Sequence, residues 1–399
     1  MAENTTYKCC FILSIDLNLP VSDVHLIMDV INTFDRNDIL IIQKGQIEKL
    51  HIDNDRIISF IPKKVKKKNL IGRYFADISY FKKVEKFLEV NRIEAETFFI
   101  QSSPVAYFIA KYLKKKTNAR VVYNAQDIFP DNIIGNSFIK KVMFSPFSLL
   151  TKKLYSAADH TITISDSIKE TIINKKVAPE KVSVIHNWAK KEDPTFPVVD
   201  FKEKYNLQDK FVVLYAGNIG KFQNVKMIVD VASLVTIKDI VFAIQGDGIE
   251  RQEIERIAKD KKLENVVFLP QVPLNYMPST YRSVDINLVT LKPTIYKTAL
   301  PSKLAFCLST DVPLIITIEK KASIRSILAD DKLSSFVNPN DVENLKNEII
   351  SVYNSRNNKK SSNKRSIILK EYFDNTRNPI KYKNLLHSNS KESEGMDNV

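Results

Sequence analysis

Short apolar runs alternate along this chain with longer segments in which hydrophobic residues recur every three to four positions. The short runs, rich in β-branched residues, read as strands buried on both faces, and the longer segments as helices laid over them. In the first half, Cys9–Ser14, Ile39–Gln43, Thr97–Gln101, Val121–Asn124 and Thr161–Ile164 are predicted strands, while Leu70–Val90 and Val105–Lys115 are predicted helices. A second series follows: strand Phe211–Tyr215, helix Val225–Val235, strand Ile240–Gln245, helix Ile249–Lys261, and strands Val266–Leu269 and Ile286–Leu291. This alternation predicts the α/β class, with a mostly parallel sheet in each half. No internal repeat is visible, which excludes a solenoid.

Between the two series, Lys190 to Phe201 carries Pro194 and Pro197 and has no regular period, as an interdomain linker would. The 399 residues suit two compact domains. The expected division is 1–190 and 191–370, with 371–387 packing back on the first domain. A helix is predicted over Ser366–Phe373, and the polar tail 388–399 is expected to be disordered.

Composition narrows the class. With 44% hydrophobic and 27% charged residues the chain is an ordinary globular protein. Its formal charge of +14 favours anionic partners in general, but no nucleic-acid recognition motif accompanies it. The three cysteines, Cys9, Cys10 and Cys307, sit in apolar runs without metal or disulfide spacing, and the five histidines show no metal spacing either. A cytoplasmic protein is expected, and no bound metal.

Glycine is scarce, eight in all, yet four of them form two pairs at strand ends: Gly217 with Gly220, and Gly246 with Gly248. Glycines so placed mark sharp bends or close approach of a ligand, and in open α/β sheets ligands bind at the carboxyl ends of strands. The loop Gly217-Asn218-Ile219-Gly220-Lys221 offers N–H groups near a helix start and a cation, which suit a phosphate; a plain tight turn would look the same. Gln245 stands where a dinucleotide fold would want an acidic residue, which argues against a nicotinamide cofactor. Pro301-Ser302-Lys303 precedes an apolar run. If Pro301 opens a helix, Ser302, Lys303 and the helix dipole converge on an anion, or Ser302 merely caps the helix. Asp127, just past the strand Val121–Asn124, either serves an acceptor hydroxyl or caps a turn ahead of Pro130.

Taken in order, Tyr215-Ala-Gly-Asn-Ile-Gly220, Gln245-Gly-Asp-Gly248, Asn265-Val-Val-Phe-Leu-Pro270, Ser283-Val-Asp-Ile-Asn-Leu288 and Pro301-Ser-Lys303 with Pro313 resemble the family-4 glycosyltransferases. Upstream, Ala157 to Ser165 and Lys181 to Asn187 resemble that family's segment before the interdomain crossing. Ala125-Gln-Asp-Ile-Phe-Pro130 is similar to the fucosamine-transferase and colanic-acid subgroup of surface-polysaccharide enzymes. The resemblance implies a GT-B fold, two Rossmann-like domains facing across a cleft, and a retaining transfer from a UDP- or GDP-sugar without a metal. It places Gly217, Asn218, Gly220, Lys221, Ser302 and Lys303 at the diphosphate, Gly246, Asp247 and Gly248 near the nucleoside, and the Gln271 backbone at the base. On the acceptor side it implies a polyprenyl-diphosphate-linked glycan, with Asp127 as the candidate catalytic group.

Two positions depart from the family. Phe306 stands where many members carry the second glutamate of a Glu-x7-Glu pair, with Thr298 at the first, and Asp311 replaces a glycine. A sugar-nucleotide epimerase of the same architecture, or a degenerate binding subunit, therefore stays open beside the transferase. Finally, Ser137 to Tyr155 and Lys63 to Lys68 pair lysines with aromatic and aliphatic residues, a composition suited to the headgroups of an anionic membrane. Peripheral attachment at the inner face of the plasma membrane is the corresponding expectation, against an ordinary amphipathic helix and a solvated basic loop.

Overall fold

The computed structural model describes residues 6–19, 21–45, 56–61, 70–135, 137–190, 195–357 and 363–387. The Lys63–Lys68 run, part of the linker and the tail 388–399 lie outside the described residues. The chain divides into two compact units, one running to His186 and resuming at Thr376, the other spanning Asn187–Asn375. The division falls a few residues before Lys190, because Ala189 is already packed into the apolar core of the second unit.

The first unit holds strands β1 (Thr6–Ile12), β2 (Ile39–Gln43), β3 (Ile57–Ser59), β4 (Glu94–Gln101), β5 (Arg120–Ala125), β6 (His160–Thr163) and β7 (Val182–Val184). The second holds β8 (Phe211–Ala216), β9 (Ile240–Gln245), β10 (Val266–Leu269), β11 (Ile286–Thr290), β12 (Leu314–Thr317) and β13 (Ser334–Val337). Their orders are β3-β2-β1-β4-β5-β6-β7 and β10-β9-β8-β11-β12-β13. Each begins with the doubly wound pattern, in which the strand order reverses beside the first strand and leaves a crevice at its carboxyl end. The sites to inspect are thus the carboxyl ends of β1 and β4, and of β8 and β11.

The apolar runs are explained by burial on both faces. Along β8, Val212, Leu214 and Ala216 enter one core cluster while Phe211, Val213 and Tyr215 enter the other. Alternate residues of a strand point to opposite faces, so a strand covered on both sides has no polar position to spare. The sequence pattern missed β3, β7, β12 and β13. Three of these are three- or four-residue strands carrying serine, and β12 follows Pro313 so closely that it reads as a continuation of a loop. The helix expected over Val225–Val235 is shorter, Lys226–Ala232.

After the second unit is complete the chain returns to the first through the helix Arg377–His387. There the Tyr382 hydroxyl meets Asn124 Oδ1 at 3.2 Å and the Thr97 hydroxyl donates to the Leu386 carbonyl at 2.9 Å. Among the described residues no helix is long and apolar enough to cross a membrane.

One buried ion pair ties the last helix of the second unit, Asn363–Tyr372, to its sheet. Arg365 Nε lies 2.8 Å from Asp331 Oδ2, and the same guanidinium donates to the carbonyls of Thr310 at 2.8 Å and Val312 at 2.7 Å. Both partners are buried. Removing one leaves the other charged and unpaired in the interior, which costs about 3–5 kcal/mol. Arg365→Met is therefore expected to lower the unfolding free energy of the second unit by that amount in a urea titration, and adding Asp331→Leu should restore most of it.

Candidate functional site

The register of β8 against β9 pairs Phe211 with Ile240 and Ala216 with Gln245, so the two strands end level and Gly217 and Gly246 emerge side by side. The Gly217 N–H donates to the Gln245 carbonyl at 2.9 Å, and Ile219 N–H to the Asp247 carbonyl at 2.8 Å, zipping the two loops together. Gly217 and Gly246 have φ of 132° and 142°, and a Cβ on Gly246 would overlap the Gly217 carbonyl. Only glycine satisfies both the conformation and the contact. This zipper uses two of the N–H groups expected to be free. Those of Asn218, Gly220 and Lys221 meet no acceptor among the described residues.

Against this loop lies Lys303. A Cβ on Gly217 would sit 3.0 Å from its Cε and Nζ. The ammonium is 3.5 Å from the centre of the Tyr215 ring, is closed off from solvent, and has no hydrogen-bond partner. Burial lowers its pKa to about 7, with the Cys307 thiol acting in the opposite sense. The Tyr215 hydroxyl donates to the Asn218 carbonyl at 2.6 Å, so one side chain both seats the lysine and shapes the loop. Tyr215 was missed in the sequence because it reads there as one more apolar strand residue.

A second layer supports the loop. Lys292 N–H donates to the Phe222 carbonyl at 2.9 Å, and its ammonium lies 3.3 Å from Glu250 Oε1. Arg251 donates to the carbonyls of Gly246 and Leu269, fixing the second glycine loop.

Other expected residues sit as follows. Lys221, Asn218 and Asp247 are exposed at the rim. Gln271 is exposed beyond β10. Pro301 does not open a helix: the helix is Lys303–Leu308, with Ser302 as an N-cap that makes no capping bond. Nor does the Gly217–Lys221 loop lead directly into a helix, since the next one starts at Lys226. The intervening residues make a turn, with Gln223 N–H donating to the Gly220 carbonyl at 3.2 Å. The features brought together are thus a set of loop N–H groups and a buried lysine that itself opens the helix Lys303–Leu308.

Phe306 is 2% exposed and packs inward, stacked on Tyr281 with ring centroids 6.2 Å apart. At this position the chain spends a side chain on its core. Asp311 is exposed, and Thr298 is buried with its hydroxyl donating to the Ile295 carbonyl at 3.1 Å.

In the first unit, Asp127 follows β5. Its Oδ1 accepts from the Ser102 hydroxyl at 3.0 Å and its Oδ2 from the Asn132 amide at 3.1 Å. Burial raises its pKa, and the Ser102 bond opposes the rise.

A family model for "Glycosyl transferases group 1" matches residues 199–367. The match lies within the second unit. Relatives include "Probable glycosyltransferase WbjE" of Pseudomonas aeruginosa, 26% identical over 54% of this chain and 55% of the relative. Another is "Putative colanic acid biosynthesis glycosyl transferase WcaI" of Escherichia coli (strain K12), 29% identical over 52% and 54%. The chain spans about half the length of the curated relatives it matches. Among solved structures, Anabaena Alr3699/HepE in complex with UDP and glucose superposes with a TM-score of 0.74 at 15% identity, over 96% of this chain and all of that one. This last likeness is one of fold, and the fold is GT-B.

Lys303 generates a prediction of its own. Its folded-state pKa lies below the ordinary 10.5, so between about pH 7 and 10.5 the unfolded chain holds the extra proton and stability rises with pH. A diphosphate bound at the loop would reverse this by restoring the charge. Calorimetry with inorganic pyrophosphate at about pH 8, in buffers of different ionisation enthalpy, should show uptake of close to one proton. Lys303→Met should abolish that uptake, weaken pyrophosphate binding about tenfold or more, and stabilise the empty protein by about 1 kcal/mol or more.

Proposed function

We propose that the chain is a retaining glycosyltransferase of surface-polysaccharide synthesis, moving a sugar from a UDP- or GDP-sugar to a lipid-linked glycan. The observation that carries the reading is the desolvated, unpartnered ammonium of Lys303, set against a loop with three N–H groups left open. A leaving diphosphate develops negative charge, and fixed donors in a water-poor site offset it most effectively. Lys303 and the N–H groups of Asn218, Gly220 and Lys221 would take the phosphates, with the Lys221 side chain closing from the rim. Ser302 would join them. Gly246, Asp247 and Gly248 would line the nucleoside, and the Gln271 backbone the base. In this reading protein cations do the work a divalent metal does elsewhere, and no cofactor takes part.

On the acceptor side, Asp127 would orient the incoming hydroxyl or accept its proton, and burial raises its pKa above the ordinary carboxylate value. A polyprenyl-diphosphate-linked sugar is the acceptor the reading favours, reached from the cytoplasmic face of the membrane.

The inward-facing Phe306 favours a second reading, a glycosyltransferase-like subunit that binds nucleotide without turning over. One assay separates them. Incubation with lipid-diphosphate sugars and a panel of UDP- and GDP-sugars should give a product heavier by one sugar residue, with the anomeric configuration of the donor kept. UDP or GDP binding without any mass increment would favour the second reading, and absence of nucleotide binding would overturn both. In the active case, Asp127→Asn should lower kcat about 10²-fold or more with nucleotide affinity unchanged. Lys221→Ala, exposed as it is, should weaken nucleotide binding only about two- to tenfold.

A further inference from the structure

The strand order of the second sheet, β10-β9-β8-β11-β12-β13, continues past the loop at the end of β8. A donor bound as proposed has its base at the end of β10, its nucleoside at β9 and its diphosphate at β8, and so lies across the strand ends in that order. Neighbouring strands stand about 4.8 Å apart, which puts a sugar on the outer phosphate over the ends of β11 and β12, about 5–10 Å further along. That end of the sheet is tied to the diphosphate loop. The Thr290 hydroxyl donates to the Gln223 carbonyl, and the Lys292 N–H to that of Phe222 at 2.9 Å.

A sugar offers hydroxyl groups, and the acidic side chain at that end is Glu319. From Ile286 to Thr310 the chain has neither aspartate nor glutamate, so the carboxylate comes from β12. Thr290 of β11 pairs with Thr317 of β12, and just beyond the pair the Leu291 N–H donates to the Thr317 hydroxyl at 3.1 Å. Two residues on, Glu319 Oε1 accepts from the Thr294 N–H, while Oε2 is buried and has no hydrogen-bond partner among the described residues. Thr294 itself stands at φ 71°, a left-handed conformation that a β-branched residue keeps only where its surroundings impose it. The turn so held fastens one oxygen of the carboxylate and leaves the other open. A buried acceptor without a donor costs the empty protein a hydrogen bond, and a ligand hydroxyl restores it.

We propose that Glu319 binds the transferred sugar, its Oε2 accepting a hydrogen bond from a sugar hydroxyl and its charge excluding donors whose sugar carries a carboxylate. The inference rests on the diphosphate reading of the Gly217–Lys221 loop, and it narrows the donor to a neutral hexose or N-acetylaminosugar. A hexuronate would set a second carboxylate against that of Glu319, with like charges opposed and a buried oxygen left unpaired, which is how a site rejects a wrong ligand.

The test is calorimetry on the full chain, first with UDP and GDP. For each base that binds, a neutral sugar nucleotide is then compared with its hexuronate: UDP-glucose with UDP-glucuronate, or GDP-mannose with GDP-mannuronate. The wild type is expected to bind the neutral compound at least about tenfold more tightly. Glu319→Gln keeps a carbonyl oxygen for the Thr294 N–H but removes the charge and the second acceptor. It should weaken the neutral sugar nucleotide about tenfold or more, leave the bare nucleotide within about twofold, and cut the preference over the hexuronate to about threefold or less. A merely structural role in holding Thr294 would move all three ligands together. The inference is overturned if Glu319→Gln shifts bare nucleotide and sugar nucleotides alike, or shifts none of them. It is equally overturned if the wild type binds the hexuronate as tightly as the neutral compound, a comparison that needs no variant to fold. Binding of neither UDP nor GDP overturns the diphosphate reading itself, and the inference with it.

Discussion

The ammonium of Lys303, held over the Tyr215 ring without a hydrogen-bond partner, is the interaction on which the candidate site depends. A cation removed from water and given only an aromatic face is not at rest: the ring returns a fraction of the lost hydration. The remainder is available to an anion that arrives with oxygens to offer. The Tyr215 hydroxyl meanwhile pins the Asn218 carbonyl, so the loop cannot turn its own carbonyl toward the lysine and quench it. Tension at the lysine and order in the loop therefore have one source, the last residue but one of β8.

The sheet sets where that source sits. β8 is the central strand at which the order β10-β9-β8-β11-β12-β13 reverses. Its carboxyl end is flanked on one side by the loop after β9 and on the other by the segment after β11, which reaches Lys303. Level strand ends bring two glycines together, and their backbones leave no room for side chains. Geometry of this kind brings the loop N–H groups, several residues before the helix start at Lys226, against Lys303 at the start of its own helix.

Much of this was legible beforehand for a simple reason. Strands buried on both faces leave uninterrupted apolar runs, and in a glycine-poor chain the glycines at Gly217 and Gly246 stand out against the background. Less was legible where an element is short or a residue has two natures. β7 and β13 are too brief and too rich in serine to show a period. Tyr215 is at once a core residue and a polar one, and a hydropathy pattern records only the first. The helix start after Pro301 was misread because proline favours a first helical turn without requiring one. Phe306 was noticed as a departure from its family, but only its stacking on Tyr281 shows that the position has been absorbed into the core.

The closing helix Arg377–His387 has a consequence for how the protein is made. Its contacts with Asn124 and Thr97 belong to the first unit, so that unit is discontinuous in the chain and the second is inserted within it. A ribosome delivers the first sheet before the helix that covers it, with a whole domain in between. Until then the apolar face awaiting that helix stands open, at a stage when exposed hydrophobic surface invites aggregation. Vectorial synthesis thus imposes an order in which the first unit is sealed only after the whole of the second has been made.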